Sequence, residues 1–182
     1  MSEGTETAAR LLADARVSII AYVCTTGSLI KGEGWDRELI DRIEKATGVK
    51  ATTTSTAVIK AFEKLGVKRV VIASPYIDEV NQIEKRFLES HGIKVLQIKS
   101  FGGDLISATP EITYRFAHEV NMPEADAVFI TCAGFKSITI IDRLEKELQK
   151  PVFSSNTATM WDILMTLDYN KPIQGYGRLL EL

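Results

Sequence analysis

Two cysteines, Cys24 and Cys132, are the only thiols in the 182-residue chain. Each stands just past an apolar run, Val17–Val23 for the first and Ala127–Thr131 for the second. Small residues follow both: Thr25-Thr26-Gly27-Ser28 after Cys24, Ala133-Gly134 after Cys132. A buried parallel strand followed by a tight turn reads this way. Where such a turn leads into a helix, the helix dipole favours a thiolate, the reactive form of the thiol. If the fold brings the two together, one thiol can act as nucleophile or base and the other as proton donor. The alternative reading is that each cysteine is a small buried hydrophobe at a strand end. No metal site is expected, because there is no C-x-x-C pair and neither His91 nor His118 is near a cysteine in sequence.

The elements that must position these residues alternate between two periodicities. Thr5 is expected to cap a first helix, with Glu6 in its first turn. Strand Val17–Val23 follows, then the Cys24 turn, a glycine-spaced loop and a helix from about Asp36 to Ala46 stopped by Gly48. Val49–Thr54 reads as a short β-branched strand and Thr56–Leu65 as a helix ended by Gly66. Lys68–Tyr76 contains a buried strand with a turn at Ser74-Pro75-Tyr76. Asp78–Ser90 is an amphipathic helix, Ile93–Ile98 a strand and Ser100–Ser107 a loop. Thr109-Pro110-Glu111 opens a helix that ends before Met122-Pro123. Strand Ala127–Thr131, helix Ser137–Leu148, strand Pro151–Ser154 and helix Asn156–Leu167 complete the alternation, and Ile173–Leu180 reads as a closing strand.

This spacing defines an α/β fold with parallel sheets flanked by helices. The likeness of the two Cys-bearing turns points to two similar halves. The first half owns only two strands, and a two-stranded sheet is marginal by itself. Ligands of open α/β sheets bind beyond the carboxyl ends of the strands. There the sequence places Cys24-Thr25-Thr26, Thr54-Ser55, Ser74-Pro75-Tyr76, Cys132-Ala133-Gly134 and Ser154-Ser155-Asn156. Thiols, hydroxyls, one amide and backbone N–H groups suit a small anion.

Composition narrows the partners. A net charge of −2 gives no electrostatic reason to expect nucleic acid or an anionic membrane. No apolar run approaches the roughly 18 residues that span a bilayer. The first residues lack secretory features, and two isolated cysteines make no disulfide framework, so a cytoplasmic location is the expectation. Neither a dinucleotide fingerprint nor a G-x-x-x-x-G-K-[ST] phosphate loop occurs. Trp35 and Trp161 read as packing residues, and Phe101–Asp104 as a plain loop.

Four stretches in order carry a resemblance: Tyr22–Ser28, Ser74–Asn81, Cys132–Phe135 and Ser155–Trp161. Together they resemble the maleate cis-trans isomerase and arylmalonate decarboxylase family of the Asp/Glu racemase superfamily, over nearly the whole chain. The resemblance implies two pseudo-symmetric α/β lobes, 1–67 plus 170–182 and 68–169, with a site between them. It also implies no cofactor, a small carboxylate substrate and a homo-oligomer. By the same resemblance Cys24 and Cys132 are catalytic, and Thr25, Thr26, Tyr76, Ala133, Gly134 and Asn156 bind substrate. Cys24 stands where the decarboxylases have glycine, which favours isomerisation of a dicarboxylate such as maleate. An Asp/Glu- or hydantoin-type racemase, a decarboxylase-like enzyme and a non-catalytic anion-binding protein are the alternatives. Family members begin with a further strand before the helix near Thr5, so the first lobe is expected to be short of one strand. Its members also tend to carry an asparagine in the loop at Ser100–Ser107, where this chain has none.

Overall fold

The computed structural model describes residues 4–182. The elements run α1 (Thr5–Asp14), β1 (Ile19–Tyr22), α2 (Thr25–Leu29), α3 (Trp35–Thr47), β2 (Lys50–Thr53), α4 (Thr54–Leu65) and β3 (Arg69–Ser74). They continue α5 (Asp78–Ser90), β4 (Lys94–Ser100), α6 (Pro110–Val120), β5 (Ala127–Ile130), α7 (Ile141–Leu148), β6 (Val152–Ser154) and α8 (Ser155–Thr166), with a 3₁₀ turn at Arg178–Glu181. β1 and β2 pair in parallel, Ile19 opposite Lys50 and Tyr22 opposite Thr53. The other four strands form a parallel sheet in the order β4-β3-β5-β6.

Parallel strands covered by helices on both faces must be apolar on both faces. In β3, Val70 and Ile72 point into a core with Phe62 of α4, Phe87 of α5 and Trp161 of α8. Val71 and Ala73 point the other way, towards Phe116 of α6 and Leu144 of α7. Phe62 meets Phe129 and Phe153 edge-on, with centroids 5.6 and 4.9 Å away, which fixes α4 on the larger sheet. The smaller sheet has a core of its own, Ala9, Ile20 and Ile43. A hydrogen-bonded tether joins β2 to α8: Thr52 donates to Asp162 at 2.5 Å, and Lys60 reaches the other carboxylate oxygen at 2.7 Å.

Several expected boundaries shift. Thr5 is the first residue of α1 rather than its cap; Gly4, at φ 84°, occupies the cap position without a side-chain hydrogen bond. The stretch after Cys24 is a short helix, α2, with Cys24 as its cap. Helix α7 begins at Ile141, not Ser137, because Ser137–Ile140 forms a turn closed by the Ile140 N–H on the Ser137 carbonyl at 3.0 Å. The tail makes no strand: Ile173 N–H donates to the Leu180 carbonyl, and Leu179 and Leu180 drop into the core beside α4 and α8. Among the described residues β1 therefore pairs with β2 alone.

Candidate active site

In the larger sheet the chain leaves β3 towards β4 on one side, while β5 lies on the other. Ligands collect beyond such a switch of direction, and the residues there are Tyr76 after β3 and Cys132 after β5. The turn that carries Tyr76 is clamped. Asn81 of α5 donates to the Tyr76 carbonyl at 3.2 Å and to Ser100 at 2.8 Å, and it accepts from Ser74 at 2.6 Å. Ser100 donates to the same carbonyl at 2.9 Å.

Cys132 adopts φ 80°, a left-handed conformation that costs a residue with a side chain on the order of 1–3 kcal/mol. Ser155, the first residue of α8, secures it by accepting the Cys132 N–H at 3.1 Å. The same Ser155 hydroxyl accepts from Thr25 at 3.0 Å. One serine thus joins the end of β5 to the residue after Cys24, across the two sheets. The Tyr76 hydroxyl lies beside this group, close to both Cys132 and Thr25. Burial, then the neighbouring Cys132, pushes the Tyr76 phenol well above its ordinary range, so it remains a neutral hydrogen-bonding group.

The two thiols have matching surroundings. Cys24 Sγ accepts the Gly27 N–H at 3.4 Å, and Cys132 Sγ accepts the Gly134 N–H at 3.4 Å. Both side chains are half-buried and free of disulfide. Cys24 also lies 3.7 Å from the Thr26 hydroxyl. Gly27 is required by space: a Cβ there would sit 2.5 Å from the Tyr22 hydroxyl and 3.0 Å from Cys24 Sγ. Trp35 locks this turn, donating from its buried indole to the Gly27 carbonyl at 2.9 Å. Burial, then Cys24, raises the Tyr22 phenol as well.

The remaining expected residues form the next turn. Asn156 donates to the Ala133 carbonyl at 3.0 Å, which shapes the Ala133-Gly134 backbone. Leu105, from the loop after β4, packs over Gly134. Beside this turn opens a largely apolar groove of about 570 Å³ lined by Val23, Phe135, Ile138, Asn156, Met160 and Leu180. Thr25 and Cys132 are therefore joined through Ser155 with Tyr76 beside them, Thr26 flanks Cys24, and Ala133, Gly134 and Asn156 adjoin Cys132. Ser155 was visible only as one of several strand-end hydroxyls. Glu84, buried on α5, gave no sequence signal beyond its helical spacing. Among the described residues no cluster of His, Cys, Asp or Glu could hold a metal ion. No described helix is long and apolar enough to cross a membrane.

Two parallel α/β sheets that meet at thiol-bearing strand ends define the Asp/Glu racemase fold, and similarity to maleate isomerases supports an enzyme of the isomerase class. A protein-family model described as arylmalonate decarboxylase matches residues 1–180. The chain belongs to the family of arylmalonate decarboxylases and maleate isomerases. It is 29% identical to the arylmalonate decarboxylase of Bordetella bronchiseptica over 95% of this chain and 75% of that protein. It is 27% identical to the maleate isomerase of Alcaligenes faecalis, over 93% of this chain and 71% of that one. The crystal structure of the maleate isomerase Iso from Pseudomonas putida S16 superposes with a TM-score of 0.92 at 26% identity, covering 98% of this chain and 76% of that chain.

Proposed function

We propose that this enzyme carries out the cofactor-independent cis–trans isomerisation of a small dicarboxylate, maleate to fumarate, with both cysteines. The observation that carries the reading is the matched pair of thiols, each facing a glycine N–H, with Thr25, Ser155 and Tyr76 between their strands. The two sheets are read as two lobes, 1–67 plus 170–182 and 68–169.

In this scheme the Cys24 thiolate adds to one alkene carbon. The C–S bond forms as the π bond breaks, and the Cys132 thiol delivers its proton to the other carbon. The central bond is then single and rotates. The Cys132 thiolate takes a proton back from that carbon, the double bond re-forms, and the C–S bond breaks to return the Cys24 thiolate and release fumarate. No electrons are gained or lost overall, so the scheme calls for no redox partner. Thr26 and Tyr76 offer hydroxyls to one carboxylate, with the Thr25 backbone N–H beside them; the Ala133-Gly134 backbone and Asn156 adjoin the other.

Proton NMR of maleate mixed with the purified protein tests this directly through the appearance of fumarate. Cys24→Ala and Cys132→Ala are each expected to lower turnover by on the order of 10³-fold or more. Normal activity in either variant would end the two-cysteine scheme. A second reading, decarboxylation of a substituted malonate, is favoured by the apolar groove at Val23 and Met160, which has room for a ring. Phenylmalonate in the same NMR assay separates the two by its loss of carbon dioxide.

A further inference from the structure

Glu84 is a buried carboxyl that the isomerisation scheme leaves without a task. It lies on α5 one turn after Asn81 and is 2% exposed. Thr131 donates to its Oε1 at 2.5 Å. Its Oε2 has no hydrogen-bond partner among the described residues. An ionised carboxylate with one bare oxygen in an apolar interior is strongly disfavoured. Burial accordingly pushes the Glu84 carboxyl up to about 7, with the Thr131 hydrogen bond pulling the other way.

One contact and one through-space effect link this carboxyl to the site. Thr131 is the residue immediately before Cys132. The Tyr76 hydroxyl, close to Cys132, also feels the charge on Glu84. The other ionisable groups nearby are few. Helix α2, packed on α5, brings only its cap Cys24. Strand β4 brings Lys94 and Lys99, the latter paired with Glu119 at 2.8 Å. On α5 itself Asp78, Glu79, Arg86 and Glu89 are exposed, and Lys85 is paired with Glu89 at 3.9 Å.

We propose that Glu84 is a positioning residue for the Cys132–Tyr76 pair, acting through Thr131, and that it supports turnover in its neutral carboxylic-acid form. As an acid it holds the Thr131 hydroxyl at the end of β5 and puts no charge behind the site. Once ionised it places a negative charge, in a low-dielectric interior, behind a site that must take up a dianion and form a thiolate. Only the turnover arm of the test rests on the isomerase reading.

The test follows alkylation of Cys132 by iodoacetamide from about pH 6 to about pH 9, read by peptide mass mapping so that Cys24 is scored separately. In the wild type the Cys132 rate should fall severalfold behind a single-thiol curve as the pH passes about 7. In Glu84→Gln it should follow the single-thiol curve, and maleate turnover should lose its alkaline decline. Thr131→Val removes the hydrogen bond that lowers the Glu84 pKa, so the inflection should move to higher pH; this variant carries the test if Glu84→Gln does not fold. Infrared spectra should show a carboxylic-acid carbonyl band near neutrality that Glu84→Gln lacks. Labelling profiles that coincide in wild type and Glu84→Gln, an inflection unmoved by Thr131→Val, or a missing acid band would each overturn the proposal. If the profiles differ as expected and maleate is untouched, the isomerase reading fails and the role of Glu84 stands.

Discussion

Neither cysteine reaches across the molecule by sequence; Ser155 makes the connection. Its hydroxyl accepts the Thr25 O–H and the Cys132 N–H at once. Ser155→Ala leaves both buried donors unsatisfied, which should cost about 1–3 kcal/mol. Urea unfolding should report this as a lower midpoint at unchanged slope, and kcat should fall because Cys132 loses the group that holds its left-handed backbone. An unchanged midpoint and kcat would remove Ser155 from the site. The thiols and Tyr76 could be picked out in the sequence because strand-end chemistry is local: an apolar run, then a reactive residue, then small ones. Ser155 could not be ranked above Ser154, Ser55 or Thr54, because hydroxyls at strand ends look alike until their partners are known.

At the scale of elements, α2 shows how packing overrides local signals. Thr25–Leu29 is five residues long, too short to display a helical period, and helix nucleation is unfavourable for so short a segment in isolation. It forms because Cys24 caps it, Trp35 holds the Gly27 carbonyl, and Ser28 hydrogen-bonds back to Cys24 and Thr25 and across to Ser55. Gly27→Ala drives a Cβ against the Tyr22 hydroxyl and Cys24 Sγ. Turnover should drop at least about tenfold, the equivalent of roughly 1.4 kcal/mol in the barrier, and the double variant Tyr22→Phe/Gly27→Ala should recover part of it by removing the closer clash. No recovery would place the damage elsewhere in α2. The tail went wrong in sequence for a related reason. The apolar residues of Ile173–Leu180 invite reading a strand, yet Gly175 and Gly177, both at φ 88°, turn the chain. The apolar groups then pack on α4 and α8 instead of a sheet edge.

For the whole molecule, Glu84 ties stability to pH. An unfolded glutamate titrates near 4.3, and folded Glu84 titrates at about 7. Below both values the acid is protonated in either state and its contribution is intact. Between them the unfolded chain releases the proton and the folded chain does not, so stability falls as pH rises, then levels off above about 7. The total is on the order of 3–4 kcal/mol. Asp126 works in the opposite sense. Arg69, beside it at 2.7 Å, and the Lys68 and Arg69 N–H groups lower its pKa, so its contribution is lost as acid is added. Denaturant midpoints of wild type minus Glu84→Gln isolate the Glu84 part, which should decline from about pH 4 to about pH 7. A flat difference would show that the carboxyl is ionised, or solvated, in the folded state.

The sequence by itself determined the α/β class, the alternation of strands and helices, and the placing of both thiols at strand ends. Those follow from short-range rules: periodicity, glycine stops, and the apolar runs of strands buried on two faces. Only the tertiary structure decided that Thr25 and Cys132 share Ser155, that Tyr76 sits between them, and that Glu84 lies behind the pair with one bare oxygen. Each of these is a contact between segments far apart in the chain. Hydrogen bonds and burial at such distances depend on sheet order and helix packing, which no local pattern encodes.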